Sequence, residues 1–155
     1  PSFHAIGFTA NFVFNLYAGV PAAVLHAPHA TPTTPELLLK GVEALRPALL
    51  STVPWVVEAL CERLRTRDPA ARCLRGLHHI AFAGAQLPPQ CEATLVEHGV
   101  AAAVDFGQTE LGGPALFGRV GGDLRCMRPA AGVTCSLRPL DGTAAAGAGS
   151  RATHQ

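Results

Sequence analysis

Between residues 5 and 104, four short apolar runs alternate with four segments of helical period, with prolines or glycines at most junctions. Residues 5–18 read as an apolar helix stopped by Gly19, and 20–26 is an apolar run of strand length. Thr34-Pro35-Glu36 opens the next helix: Thr34 is the N-cap and Pro35 the first helical residue. Leu37, Leu38, Val42 and Leu45 then recur at helical spacing. Residues 48–53 predict a buried strand. Pro54 begins a helix to Leu64, with Val56, Val57, Leu60 and Leu64 on one face. The charged stretch 65–75 reads as a surface connection. A strand over 77–83, a helix over 88–98 and a strand over 100–104 complete the alternation, and 105–118 reads as a glycine-rich loop. This order predicts an α/β fold, a layered and mainly parallel sheet with flanking helices. Strands this apolar are expected to be covered on both faces. Ligands in such sheets bind outside the carboxyl ends of the strands.

The pattern weakens from Arg119 onward. Short β segments are expected near 124–127 and 133–137. The Ala/Gly/Ser/Thr-rich stretch 141–155 has no periodicity and is expected to be poorly packed. The organisation expected is therefore an α/β unit over 1–118, the start of a β-rich unit over 119–140, and a low-complexity tail over 141–155.

Composition narrows the function classes. The 155 residues carry 12 basic and 11 acidic side chains, a net charge of +1, and 48% of them are hydrophobic. A chain this apolar is not disordered by composition, and a balance this even does not suit an electrostatic nucleic-acid binder. The first 35 residues hold no Asp, Glu, Lys or Arg, and 5–25 matches the roughly 20 residues that a membrane span needs. Asn11, Asn15, the break at Gly19-Val20-Pro21 and the lack of a flanking basic cluster oppose a span. The five cysteines, at 61, 73, 91, 126 and 135, are odd in number and form no CxxC pair. They read as free thiols of a reducing compartment, which points to the cytoplasm. Adjacent strand residues alternate faces, so His78 and His79 are not expected to share a metal.

Two strings can carry chemistry. Asp105-Phe106-Gly107-Gln108-Thr109-Glu110 puts an acid, an aromatic plate, a glycine, a hydroxyl and a carboxylate at a strand-to-loop turn. Gly107 permits close backbone approach to a ligand, Phe106 can stack on a planar base, Thr109 can donate to a phosphate oxygen, and Glu110 can hold Mg²⁺ beside it. The plain alternative is a capped loop with Phe106 in the core. Ala83-Gly84-Ala85-Gln86-Leu87-Pro88 is a small-residue turn whose backbone can face a ligand, a turn common in α/β proteins.

Taken in order, four segments are more specific. Pro1-Ser2-Phe3-His4-Ala5-Ile6-Gly7 resembles a P-x-F-H-x-x-G segment. Thr52-Val53-Pro54-Trp55 resembles a strand-to-helix "V-P" junction. Ala83-Gly84-Ala85-Gln86-Leu87-Pro88 resembles a G-G-A-P-L segment, and Phe106-Gly107-Gln108-Thr109-Glu110 a Y-G-x-T-E signature. Together they resemble the adenylate-forming superfamily of acyl-CoA synthetases, carboxylic acid reductases and nonribosomal peptide synthetase adenylation domains, over about residues 1–140. The resemblance implies a ligase that activates a small carboxylic acid with ATP, giving an acyl-adenylate, and passes the acyl group to a thiol of CoA or of a carrier protein's phosphopantetheine. It implies that Phe106 stacks on adenine and Asp105 meets its amino group. Gly84, Ala85 and Gln86 would line the AMP and acyl pocket beside Gly107 and Gln108. Thr109 would touch the α-phosphate, and Glu110 would bind Mg²⁺. His4 would lie near the carboxylate or the thiol channel, and Trp55 would wall the acyl pocket.

The family's phosphate loop precedes P-x-F-H, its ribose-binding Y-x-T-G-D should follow the region of Leu140, and its catalytic lysine lies further on. None of these is found in the 155 residues, where the one lysine is Lys40. The expectation is a central fragment of such an enzyme, inactive in isolation. A non-enzymatic nucleotide-binding or interaction module built on the same fold is the alternative.

Overall fold

The computed structural model describes residues 12–24 and 34–136. Helix α1 (Phe14–Ala18) ends where Gly19 takes up a left-handed conformation (φ 64°). Residues 20–24 are exposed and not a strand, unlike the expectation for 20–26; 25–26 and the first half, 5–11, of the expected 5–18 helix lie outside the described residues. Among the described residues no helix is long and apolar enough to cross a membrane.

Helix α2 (Pro35–Leu45) begins as its sequence dictates, with the Thr34 hydroxyl accepting from the Leu37 amide at 3.3 Å and Pro35 in the first turn. Strand β1 (Leu49–Thr52) leads through Val53 into α3 (Pro54–Arg65), which buries Val56, Val57, Leu60, Cys61 and Leu64. The charged connection after α3 is more ordered than its composition suggests. A 3-10 helix (Pro69–Gly76), capped by the Asp68 carboxylate accepting from the Ala70 amide, buries Ala71 and Leu74. Two apolar residues at i and i+3 were enough to anchor it, a signal hidden among the arginines. Arg63 of α3 ties this region down by pairing with Glu36 of α2 and with Asp68 at 3.1 Å.

Strand β2 (His79–Ala83), helix α4 (Pro89–Glu97) and strand β3 (Ala102–Gln108) follow. A 3-10 turn (Thr109–Leu111) then gives way to β4 (Gly113–Gly118), and β5 (Met127–Pro129) ends the described elements. The expected loop over 105–118 is therefore mostly a hairpin. Glycines and Pro114 mask the strand pattern of β4 in the sequence. Residues 133–136 form no strand, and 137 and the 141–155 stretch lie outside the described residues.

The architecture is the layered α/β sheet expected, with five strands in the order β1-β2-β3-β4-β5. The first three are parallel, while β3–β4 and β4–β5 are antiparallel, so the sheet is mixed. Ile80, Phe82, Ala102 and Val104 project from one face into a single core with Leu38, Leu39 and Val42 of α2, the buried face of α3, Leu74, and Cys91 and Leu95 of α4. On the opposite face Leu49, Ser51, His79, Ala81, Ala83 and Asp105 are half-buried or exposed, while Ala103 is buried. Among the described residues the helices thus cover one face, where two covered faces were expected.

All five cysteines are free; Cys61 and Cys91 are buried. Burial pushes the Cys61 thiol up to about 12, which makes it inert. The Nδ1 atoms of His78 and His79 lie 2.9 Å apart. The face-alternation argument fails here because His78 precedes β2. Among the described residues no three His, Cys, Asp or Glu side chains are grouped to hold a metal.

Candidate functional site

Parallel pairing decides which loops meet. Thr52 pairs with Phe82, and Ala83 pairs with Asp105, so β1, β2 and β3 all end on the same edge of the sheet. Three of the four sequence segments leave from that edge: Val53-Pro54-Trp55 after β1, Gly84-Ala85-Gln86 after β2, and Asp105 to Glu110 at the end of β3. The fourth, with His4, lies outside the described residues.

Each loop has a local cause. Gly84 breaks from β2 with φ 114°, a conformation that a side chain disfavours, in open space. Ala85 and Gln86 are exposed beside it. Pro54 starts α3 and leaves Trp55 on its outer side, 57% exposed. Phe106 is 44% exposed, not in the core as the plain reading would have it. Gln108 at the end of β3, and Thr109 and Glu110 on the 3-10 turn, are exposed, and no side chain caps the turn. The turn closes through the Gly112 amide donating to the Thr109 carbonyl at 3.0 Å.

The close approach at Gly107 is made by the protein itself. The β3–β4 register slips between Phe106, which pairs with Leu116, and Gly107, which pairs with Pro114. At that bulge a Cβ on Gly107 would overlap the Gly113 carbonyl oxygen and lie 2.7 Å from the Pro114 Cα. Bulges of this kind re-aim side chains at sheet ends, and this one separates Phe106 from Gln108 and the turn. Gly113 and Pro114 thus support the site, although no sequence signal singled them out.

Asp105 has a displaced acidity. Burial pushes its carboxyl from an ordinary 3.8 up to about 6. A carboxyl whose folded pKa is raised favours folding most while protonated. Its contribution is full below about pH 4 and declines as pH rises through about 6. Asp105→Asn is therefore expected to gain stability relative to the parent over that interval and hold the gain above it, measured as the difference in Tm across pH. A difference that stays flat from pH 4 to 6 would remove burial as the cause.

The sequence matches the AMP-binding enzyme family over residues 1–145. Among curated proteins none matches the chain. Similar solved structures include the nonribosomal peptide synthetase FmoA3, at TM-score 0.61 and 21% identity, over 78% of this chain and 13% of that one. A malonyl-CoA ligase holding methylmalonyl-CoA and AMP is similar at TM-score 0.61 and 20% identity, over 78% of this chain and 24% of that one. The adenylation domain of a keto acid-selecting synthetase module, bound to a keto acyl adenylate, is similar at TM-score 0.61 and 14% identity, over 84% and 28%. These likenesses concern the fold, and the chain spans at most 28% of the three chains.

Proposed function

Because the chain belongs to the AMP-binding enzyme family, we propose that it forms the adenine- and phosphate-facing part of a ligase that activates a small carboxylic acid as its acyl-adenylate. The observation that carries this reading is the pairing of Ala83 with Asp105, which brings the Gly84–Gln86 turn beside the Asp105–Glu110 segment at one sheet edge. That the solved relatives include structures holding AMP and an acyl-adenylate supports the choice of nucleotide.

In this reading Phe106 offers its exposed ring to the adenine, and the Gly84, Ala85 and Gln86 backbone lines the other side with Asp105 near the amino group. Gly107 and Gln108 carry the chain past the nucleotide. Thr109 donates to the α-phosphate. Glu110 supplies one exposed carboxylate, which fits Mg²⁺, an ion that keeps several waters and takes the rest of its ligands from phosphate. When bound, the ion would offset phosphate charge as pyrophosphate departs. Trp55 walls the space where the acid lies, and His4 serves the carboxylate or the incoming thiol, of CoA or of a carrier protein. Electrostatic stabilisation of the transferring group is the largest part of such catalysis. The 155 residues hold a single lysine, Lys40 on α2, and no Ser/Thr/Gly-rich phosphate loop. The proposal therefore confines this chain to binding and orienting nucleotide and acid, and gives it no measurable turnover alone.

AMP binding by the chain tests the reading, followed by saturation-transfer NMR. Phe106→Ala is expected to weaken it about tenfold or more, since stacking of a base on an aromatic ring contributes ~1–3 kcal/mol. No saturable AMP binding, or equal binding by Phe106→Ala, overturns it.

A further inference from the structure

A groove of about 590 Å³ opens at the opposite end of the molecule, among the end of α3, the 3-10 helix and the end of α4. These segments precede the starts of β2 and β3, so the groove sits at the amino edge of the sheet, away from the site above. Leu64, Arg67, Arg72, Arg75, Glu97 and His98 line it, together with Ala71 and Asp68. We propose that this groove is a second binding site, for a small phosphate-bearing anion.

The charge balance favours an anion. Asp68 pairs with Arg63 at 3.1 Å, a guanidinium that it shares with Glu36, and its other oxygen accepts from the Ala70 amide. Asp68 and Glu97 are the carboxylates of the lining, against the three guanidinium groups of Arg67, Arg72 and Arg75. Arg75 is held in place by donating from Nε to the His98 carbonyl at 3.0 Å, which leaves its terminal nitrogens available. Arg67 and Arg72 are exposed, and among the described residues neither pairs with a carboxylate. Phosphate suits this set better than a single carboxylate does, because the guanidinium fork binds two phosphate oxygens at once.

The backbone adds a separate observation. Arg67 follows the last turn of α3 with φ 55°, in the left-handed region where a helix exit ordinarily carries glycine. Its amide donates to the Leu64 carbonyl at 3.0 Å, so the turn is fixed. A side chain there carries a conformational cost that glycine would not, and the residue that carries it supplies one of the three cations lining the groove.

That strain gives a discriminating test. The probe is inorganic pyrophosphate without divalent metal, titrated into the full chain by calorimetry at low salt. Saturable binding is expected. Arg67→Gly is expected to weaken it about tenfold, the loss of charge-assisted hydrogen bonds, while Tm stays the same or rises because the strain is relieved. Arg72→Gln is expected to weaken it similarly without changing Tm, and Thr109→Ala, at the phosphate-facing turn of the nucleotide site, to leave it unchanged, which separates the two sites. Absence of saturable binding, parental affinity in both arginine variants, or tighter binding of a glutamate-rich peptide than of pyrophosphate overturns the proposal.

Discussion

Gly107→Ala is expected to destabilise the fold by about 3 kcal/mol, at the upper end of what overpacking costs. The added methyl group would overlap the Gly113 carbonyl oxygen and sit 2.7 Å from the Pro114 Cα and 2.8 Å from the Gly113 carbonyl carbon. All three are backbone atoms, so no side-chain rotamer relieves the clash; β4 must move away from β3. The bulge at Phe106/Gly107 is where the strand hands over to the turn that bears Thr109 and Glu110. The variant is therefore expected to lose order in 107–114 more than in the parallel strands. Chemical denaturation gives the size of the effect, and amide hydrogen exchange gives its place. A variant with parental stability would mean that β4 does not approach β3 this closely.

Phe82→Ala is expected to cost more, about 3–5 kcal/mol, as for other large buried aromatic side chains. Phe82 is the largest of the fully enclosed side chains, at 2% exposure, and lies at the centre of the parallel part of the sheet between Thr52 and Val104. Its removal opens a cavity in the core that it shares with Val57, Leu60 and Leu95. The loss is expected to be global, with all probes of unfolding shifting together in denaturant. A cost under ~1 kcal/mol would mean that the core repacks freely and that the register of β2 is not fixed by this residue.

Much of the fold was legible from short-range signals. Thr34-Pro35 announced α2 because a hydroxyl cap and a proline both satisfy the needs of a helix start. Pro54 did the same for α3. The parallel strands were visible because each is a short apolar run after a helix. What was not legible depends on pairing. Nothing local in Gly113-Pro114-Ala115-Leu116 says that it returns antiparallel to β3, since its bulge is defined only by the residues opposite. The 3-10 helix escaped because its anchors, Ala71 and Leu74, sit among arginines. The single covered face is likewise a property of what surrounds the sheet rather than of its strands. At the candidate site the residue types of Phe106, Thr109 and Glu110 were readable at once. Their nearness to Gly84 required the register of two strands separated by α4.

The order of strands in the sheet is also their order in the chain. Each strand pairs with its neighbour in the chain, the parallel pairs across the helix-bearing connections 53–78 and 84–101 and the antiparallel pairs across shorter ones. Closure entropy grows with the logarithm of loop length, and folding slows as contacts become less local. A sheet laid down in sequence can grow from its amino-terminal strand while the remainder is still being synthesised, with β3 always presenting the open edge that β4 will occupy.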